Sequence, residues 1–270
     1  MQKLIILLLS LLVMIGCTIS PKELGKNLSK ENINTALICA NKIDILPLSI
    51  NGAKPPQEAF DYSLKKIKKY TTSNIVVHQM EELSIEKDKI NEFIENFTNR
   101  KELDANLSQK VDNVLKDFPK GQSSIVMIYT PSLLCNIRNG IELRGRSYPY
   151  KGAFNIVAYN QTTIDKAPVI SDTQAWKIVL THEMGHRFGL PESVTHNRDG
   201  HCTNPDCILY AGPDWKAVVS VLFHGMPYDF CDDCKAELRY AKEHACRYYG
   251  AYGDDIIYTT PYKSTDKTAK

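Results

Sequence analysis

The most constraining feature of the chain is the segment 181–189, Thr-His-Glu-Met-Gly-His-Arg-Phe-Gly, which contains the pattern H-E-x-x-H. Residues four apart share one face of a helix, so His182 and His186 can direct both imidazoles at one ion. Glu183 is then placed where its carboxylate can hold a water bound to that ion. Two ligands and a general base on one helix indicate a site for metal-assisted hydrolysis.

The flanking residues predict that this segment belongs to a helix that begins near Ser171 or Asp172. Both residue types are favoured N-caps, because their side chains accept backbone N–H groups left unpaired in the first turn. Apolar residues then recur at roughly helical spacing, at Trp176, Ile178, Val179, Leu180 and Met184. Gly189 can adopt the left-handed conformation that ends a helix, which lets the chain turn back toward the metal with a further ligand.

The composition is that of a globular chain with nearly balanced charge. Of the 270 residues, 43% are hydrophobic, which is enough to bury a core in one large or two small domains. The formal net charge is only +2, and no basic stripe with interleaved aromatic residues is present in the sequence. We therefore expect no nucleic-acid partner, and we expect the chain to be a monomer.

Residues 1–16 are interpreted as a signal peptide of the bacterial lipoprotein type. Lys3 precedes an apolar run over 4–15, which is too short to span a bilayer comfortably. The run ends Met-Ile-Gly-Cys, and a small residue before a cysteine resembles the box at which Cys17 is lipidated and becomes the N-terminus. A non-lipidated secretory signal and an uncleaved anchor are the alternatives. The lipid would anchor the chain to a membrane of the bacterial cell envelope, on the periplasmic or outer surface.

The rest of the chain divides into a polar tether over 17–35, a domain over 36–250 and a polar tail over 251–270. Within the domain, strands are predicted at 43–46, 74–80, 124–130 and 152–159. Helices are predicted near 60–70 and, as two helices or one interrupted helix, within 81–118. This alternation is typical of an α/β layer with a parallel pair of strands.

Two further predictions concern the chain just before the helix that carries His182 and His186, which we call the metal helix. The segment 135–151 is predicted to be irregular, because arginine, glycine and tyrosine follow one another without a period. The strand 152–159 is predicted to lie beside the site as an edge strand, where it would hold an extended substrate by backbone pairing.

The cysteines that follow the metal helix form two closely spaced pairs. Cys202 and Cys207 are followed by Cys231 and Cys234, and four thiolates in two such pairs suit a tetrahedral structural zinc. Disulfide bonds are the alternative, because an exported chain meets an oxidising compartment. The second pair is also predicted to begin the last helix.

Three cysteines remain beside these four and the lipidated one. They are Cys39, Cys135 and Cys246. A disulfide between Cys39 and Cys135 is the favoured pairing, which leaves Cys246 as a free thiol.

The combination of H-E-x-x-H-x-x-G, His-Cys-x4-Cys and Cys-x2-Cys before a C-terminal helix resembles the archaemetzincins, over roughly 36–249. The resemblance implies a metzincin-type zinc metallopeptidase of α/β (α+β), zincin-like fold, with a twisted mixed sheet, an active-site helix and a C-terminal helix after a four-cysteine zinc site. It implies one catalytic and one structural zinc, and a peptide or protein substrate.

Site residues can be carried over by position from this resemblance. His182, His186 and His201 match the catalytic zinc ligands, and Glu183 matches the general base. The structural zinc site is matched by Cys202, Cys207, Cys231 and Cys234.

The sequence departs from the family pattern at the third catalytic ligand. In the family the third histidine follows the glycine after two residues, and that spacing falls here on Glu192. His201 comes after an apparent insertion that also contains His196, so all three residues are candidates. His201 is preferred because it keeps its place beside Cys202, and a loop can bulge between fixed ends at modest entropic cost.

A second departure lies beneath the expected metal. Leu209 stands where the family has a packing methionine, and Met226 is the alternative for that role.

The activity predicted from these residues is hydrolysis of peptide bonds by metal-activated water, with Glu183 moving the proton. One alternative is a surface lipoprotein of the same fold that binds peptide, glycan or protein without cleaving it. Another is a metal-storage lipoprotein, which the ordering of the ligands into two distinct sites disfavours.

Overall fold

The computed structural model describes residues 35–99, 101–131, 143–148, 154–166, 170–193, 195–211 and 215–246. The predictions for the signal peptide with Cys17, for all but the last residue of the tether, for the tail and for Cys135 lie outside these residues. In the described part of the chain, no helix has both the length and the apolar character needed to cross a membrane.

The described chain alternates between strands and helices. The strands are β1 (Lys42–Ile50), β2 (Asn74–Val77), β3 (Glu81–Leu83), β4 (Ser124–Thr130), β5 (Gly145–Tyr148), β6 (Asn155–Asn160), β7 (Asn197–Arg198) and β8 (His201–Cys202). The α-helices are α1 (Thr35–Cys39), α2 (Gln57–Lys68), α3 (Ile90–Asn99), α4 (Ala105–Leu115), α5 (Gln161–Asp165), α6 (Asp172–Arg187), α7 (Trp215–His224) and α8 (Asp232–Tyr240). A 3-10 turn at Lys87–Lys89 precedes α3, and a π-helix at Ala241–Ala245 follows α8.

A six-stranded sheet of order β2-β1-β4-β6-β5 forms the framework, and β3 also pairs with β1. The pairs β1–β2, β1–β3, β1–β4 and β4–β6 are parallel, and only β5 runs antiparallel to its neighbour β6. On one side, β1 pairs first with β2 and then with β3, and Pro47 falls in the break between these pairings, which suits a residue without an N–H donor. The mixed, mostly parallel α/β fold predicted from the sequence is confirmed.

The two faces of the sheet are covered by different helices. Strand β4 is buried throughout, and its side chains alternate: Ile125, Met127 and Tyr129 join one core, whereas Val126 and Ile128 join the other. The first core includes residues of α2, α6 and α8, and the second includes residues of α3 and α4. The metal helix α6 therefore lies against the same face of the sheet as α8.

The edge strand beside the metal helix is β5, not the strand predicted for that role. Strand β6 lies between β4 and β5, so its backbone is paired on both sides and the prediction that it is an edge was wrong. The segment Gly145–Tyr148, predicted to be irregular, is instead the last strand on this side among the described strands. Its sequence, Gly-Arg-Ser-Tyr, carries no apolar alternation, and it is a strand because β6 offers it an antiparallel partner.

A disulfide joins the two ends of the described chain. Cys39 at the end of α1 is bonded to Cys246 after the π-helix, 207 residues away, so the predicted pairing of Cys39 with Cys135 was wrong. The reason is tertiary: the C-terminal helix returns to pack beside α1, and the sequence alone does not specify which cysteines meet.

This disulfide predicts a measurable loss of stability when it is removed. Because it closes a very long loop, replacing Cys39 and Cys246 with serine should lower the free energy of unfolding by roughly 2–5 kcal/mol. Urea denaturation of the wild-type protein and of the double variant measures the difference in the free energy of unfolding. The single Cys39→Ser variant is the matched control and should lose about as much, because either change breaks the bond. Wild-type stability in both variants would contradict the pairing.

Candidate metal centres

The helix α6 is defined by local interactions at both ends. The Gln174 N–H donates to Ser171 Oγ at 3.3 Å, and the Ser171 N–H donates to Gln174 Oε1 at 3.1 Å, which is a capping box. At the other end Gly189 adopts a φ of 87°, a conformation that glycine tolerates, and the helix stops. The start predicted at Ser171 or Asp172 and the stop predicted at Gly189 are both confirmed.

Close packing fixes the helix where it carries the site. A Cβ added to Gly185 would lie 2.8 Å from the Phe230 ring and 2.9 Å from Leu209 Cδ2, so only glycine fits between the two histidines of the motif. Leu209 is fully buried at this position, where it packs against the helix at Gly185.

Three histidines converge on one point at the end of α6. Their ligand atoms lie within 4.8 Å of one another: His182, His186 and His201. The Nε2 atoms of His182 and His186 are 3.0 Å apart, and the His201 ring lies 5.3 Å and 5.0 Å from their ring centroids. The structure thus brings together the three residues preferred as ligands.

The outer nitrogens of the helical pair fix the ring tautomers. His182 Nδ1 lies 2.7 Å from the Ile208 carbonyl oxygen, and His186 Nδ1 lies 2.9 Å from that of Leu190. Since a carbonyl only accepts hydrogen bonds, each Nδ1 carries the proton, and in the neutral rings each Nε2 presents a lone pair. Metal-binding histidines are typically oriented by such bonds.

Burial keeps both rings neutral. Burial, with the neighbouring His201 as the next contribution, lowers the pKa of His182 to about 4. Burial likewise lowers the pKa of His186 to about 4, with His182 as the next contribution. Neutral imidazole is the form that binds a metal, so the pair is ready to act as ligands at neutral pH.

His201 reaches the pair on a tight hairpin. Strands β7 and β8 are joined by Asp199 and Gly200, whose φ angles of 53° and 81° are those of a two-residue turn of type I′. His201 Nδ1 lies 3.2 Å from the Asp199 carbonyl oxygen. The Asp-Gly dipeptide is a strong hairpin signal, and this hairpin was not predicted because the stretch was interpreted only as an insertion.

Glu183 is held from the edge strand β5. Ser147 Oγ lies 2.7 Å from the Glu183 carbonyl oxygen and 2.8 Å from its Oε2, within donating distance of both. A Cβ on Gly145 would lie 2.6 Å from Glu183 Cγ, so glycine is required beside the carboxylate. Burial raises the pKa of Glu183, and the facing His186 and Ser147 oppose part of this rise. A raised pKa suits a general base.

Arg187 ties the same strand to the helix. Its Nη1 donates to the carbonyl oxygen of Tyr148, the last residue of β5. Burial lowers the pKa of Arg187 to about 10, and the carboxylate of Glu183 opposes the shift. These roles of Gly145, Ser147 and Arg187 were not predicted, because the first two lie in the segment predicted to be irregular and Arg187 stands at a variable position of H-E-x-x-H-x-x-G.

A second cluster contains the four cysteines. All four thiols are free and buried, so the disulfide alternative is wrong for them. The Sγ atoms of Cys202 and Cys231 are 3.7 Å apart, and those of Cys207 and Cys234 are 3.8 Å apart. Zinc–sulfur bonds of about 2.3 Å in a tetrahedron require sulfur separations of about 3.8 Å, so the spacing fits a metal. Cys231 is the N-cap of α8, as predicted.

His196 belongs to this second cluster, although it was a candidate for the three-histidine site. The ligand atoms of His196, Cys202, Cys231 and Cys234 lie within 4.8 Å of one another. Glu192 belongs to neither group of metal-capable side chains in the described residues. The loop that carries both residues folds toward the cysteines because the buried Glu237 accepts the N–H groups of Glu192 and Ser193 at 3.0 Å and 2.7 Å.

Comparison with known proteins adds only distant likenesses. No family model and no curated protein sequence matches the chain. Similar solved structures include the archaemetzincin from Methanopyrus kandleri, at 15% sequence identity and a TM-score of 0.43, over 76% of this chain and 98% of that one. Another is the malonate complex of the archaemetzincin from Archaeoglobus fulgidus, at 17% identity and a TM-score of 0.35, over 73% and 99%. Likeness at this level does not establish family membership.

The depressed histidine pKa values predict an acid-sensitive metal-free protein. In the unfolded chain these histidines titrate near an ordinary pKa of about 6.5, so between about 6.5 and 4 the unfolded state binds more protons. The free energy of unfolding of the metal-free protein should therefore fall as the pH is lowered through this range.

Urea denaturation of the metal-free protein between pH 7 and pH 4.5 measures this effect. The His182→Ala/His186→Ala variant is the control, and its stability should depend less steeply on pH. Parallel curves for the two proteins would rule out these histidines as the cause.

Proposed function

We propose that the chain is a zinc-dependent hydrolase that cleaves peptide bonds. The observation that carries the proposal is the convergence of three imidazoles on one point, with the two helical Nε2 atoms 3.0 Å apart. Two lone pairs at that distance repel each other unless a cation lies between them. Three nitrogen ligands with a further position left open are characteristic of catalytic rather than structural zinc.

The residues that would hold the ion are His182, His186 and His201. A zinc bound in this way lowers the pKa of its water to about 7 and polarises a substrate carbonyl. The cysteine cluster would hold a second zinc with a structural role. Its four free thiols support this, because the same chain has formed the Cys39–Cys246 disulfide, and closely placed thiols in an oxidising compartment pair unless something holds them apart.

Glu183 is the proposed general base. Ser147 engages its Oε2, which leaves Oε1 to take a proton from the attacking water and to pass it to the leaving amine. The same hydroxyl lies 2.7 Å from the Glu183 carbonyl oxygen, so its one hydrogen is shared between the two oxygens, and β5 is held against the helix with the carboxylate oriented before substrate arrives. A base that is already oriented loses little freedom on reaching the transition state.

The edge strand β5 is the proposed binding surface for the substrate. It lies beside Glu183 through Ser147, and among the described strands it pairs with β6. An extended peptide lying along β5 at Ser147 would place its backbone next to the site, and backbone pairing would bind peptides of many sequences. This assigns to β5 the role that the sequence analysis gave to 152–159.

We also propose that the chain is exported and lipid-anchored at Cys17 in a bacterial cell envelope. The Cys39–Cys246 disulfide supports export, because such bonds persist in oxidising compartments.

Substitution of the general base tests the activity. Glu183→Gln should lower the turnover of a peptide library by about 10²-fold or more, because proton transfer of this kind contributes roughly 10²–10⁴-fold. Zinc content should stay at the wild-type value, since the amide changes no proposed ligand. The matched control is Glu58→Gln, a change of the same kind at an exposed residue of α2, which should cleave normally. Equal hydrolysis by wild type and Glu183→Gln would end the assignment. Absence of cleavage by wild type with zinc retained would favour the binding lipoprotein.

Elemental analysis tests the third ligand. Wild-type protein should carry two zinc ions for each chain, and His201→Ala should carry close to one, because two imidazoles alone hold zinc weakly. Glu192→Ala is the control, since Glu192 belongs to neither cluster, and it should keep both ions. The opposite result, with zinc lost only from Glu192→Ala, would contradict the assignment of His201.

A further inference from the structure

We propose that His196 is a ligand of the metal at the cysteine cluster, and that Cys207 is the displaceable thiol there. This cluster offers five donors, one more than a tetrahedral zinc accepts. They are His196, Cys202, Cys207, Cys231 and Cys234. The inference rests on the proposal that the cluster binds zinc, and it is independent of any peptidase activity.

The position of the His196 ring is that of a metal ligand. Its Nδ1 lies 3.5 Å from Cys202 Sγ and 3.9 Å from Cys234 Sγ. A tetrahedral zinc with bonds of about 2.0 Å to nitrogen and 2.3 Å to sulfur requires nitrogen–sulfur separations of about 3.5 Å. The ring is buried, so water does not compete for Nδ1.

Glu237 determines which nitrogen of His196 faces the sulfurs. The fully buried carboxylate lies with Oε1 2.9 Å from His196 Nε2, and it also accepts two backbone N–H groups. Both oxygens of Glu237 already accept backbone N–H groups, so His196 Nε2 donates to Oε1 and Nδ1 is the nitrogen that faces the thiols, where a bound zinc would take the place of a proton. A carboxylate, a histidine and a zinc in this order form a common arrangement around bound zinc.

Charge favours the histidine over the fourth thiolate. Three thiolates and a neutral imidazole around a divalent ion leave one net negative charge, and four thiolates leave two. The Glu237 carboxyl group lies against the same ring and is fully buried, so the site already holds one acidic group away from solvent. Because buried charge of one sign is costly, we assign the fourth position to His196 and leave Cys207 as a thiol that accepts the Cys231 N–H at 3.3 Å.

X-ray absorption at the zinc edge tests the ligand set directly. The protein to use is His182→Ala/His186→Ala, in which the three-histidine site no longer holds zinc and the signal comes from the cysteine cluster. We expect a first shell of three sulfurs and one nitrogen. Adding His196→Ala should convert it to four sulfurs, because Cys207 takes the open position, and adding His224→Ala, a change at an exposed histidine, should alter nothing. Four sulfurs with His196 intact, or no zinc bound, would overturn the proposal.

Metal retention gives a second readout that does not depend on the His196 variant folding. In the same background, Cys207→Ser should keep one zinc, and Cys234→Ser should lose it. Loss of zinc from Cys207→Ser in a protein with wild-type circular dichroism would contradict the assignment.

Glu237→Gln should weaken zinc binding by about 10–100-fold, as is typical when the partner of a ligating histidine is changed. Failure of peptide cleavage in wild type would leave all of these outcomes unaffected.

Discussion

The candidate site depends on the close approach of two imidazole nitrogens. With Nδ1 of His182 and of His186 each engaged by a carbonyl oxygen, the two Nε2 lone pairs face each other at 3.0 Å. In the described part of the chain the packing does not relieve this repulsion, since Gly185 allows the helix to sit tightly on Phe230 and the rings cannot turn away without losing their carbonyl partners. The fold therefore holds a concentrated region of negative potential, which a cation neutralises.

The two candidate metal centres are linked through the same backbone segments. His201 and Cys202 are neighbours on β8, so a backbone shift at one centre moves a ligand of the other. The loop after α6 begins with Leu190, whose carbonyl oxygen orients His186, and it ends at His196 in the cysteine cluster. Glu237, six residues after the N-cap Cys231, holds that loop through two N–H groups. Under our proposal, a metal at the cysteines would therefore also stabilise the loop that orients the histidines.

How much was predictable follows from the range of the interactions. The helix with His182, Glu183 and His186 was predicted because its pattern is local, and the α/β class was predicted because strands and helices alternate along the chain. His196 was predicted only as an alternative ligand of the three-histidine site, and its membership of the cysteine cluster could not be predicted because its position depends on Glu237, 41 residues away. Strand β5 was missed because Gly-Arg-Ser-Tyr has no periodicity and forms a strand only beside β6. Cysteine pairing failed for the same reason, since a C-terminal helix decides which thiol Cys39 meets.

The proposed base lies on helix α6 and the residue that orients it lies on strand β5, so a contact made at the strand can affect the base. Glu183 is oriented by Ser147, and β5 is tied to the helix a second time where Arg187 donates to Tyr148. A peptide that pairs with β5 would therefore bind to the same backbone that orients the carboxylate. A substrate that pairs with β5 would also restrict the motion of the Glu183 side chain. Under our proposal, binding energy gained along the peptide backbone would be used to restrict the base, which is how distant contacts raise turnover and not only affinity.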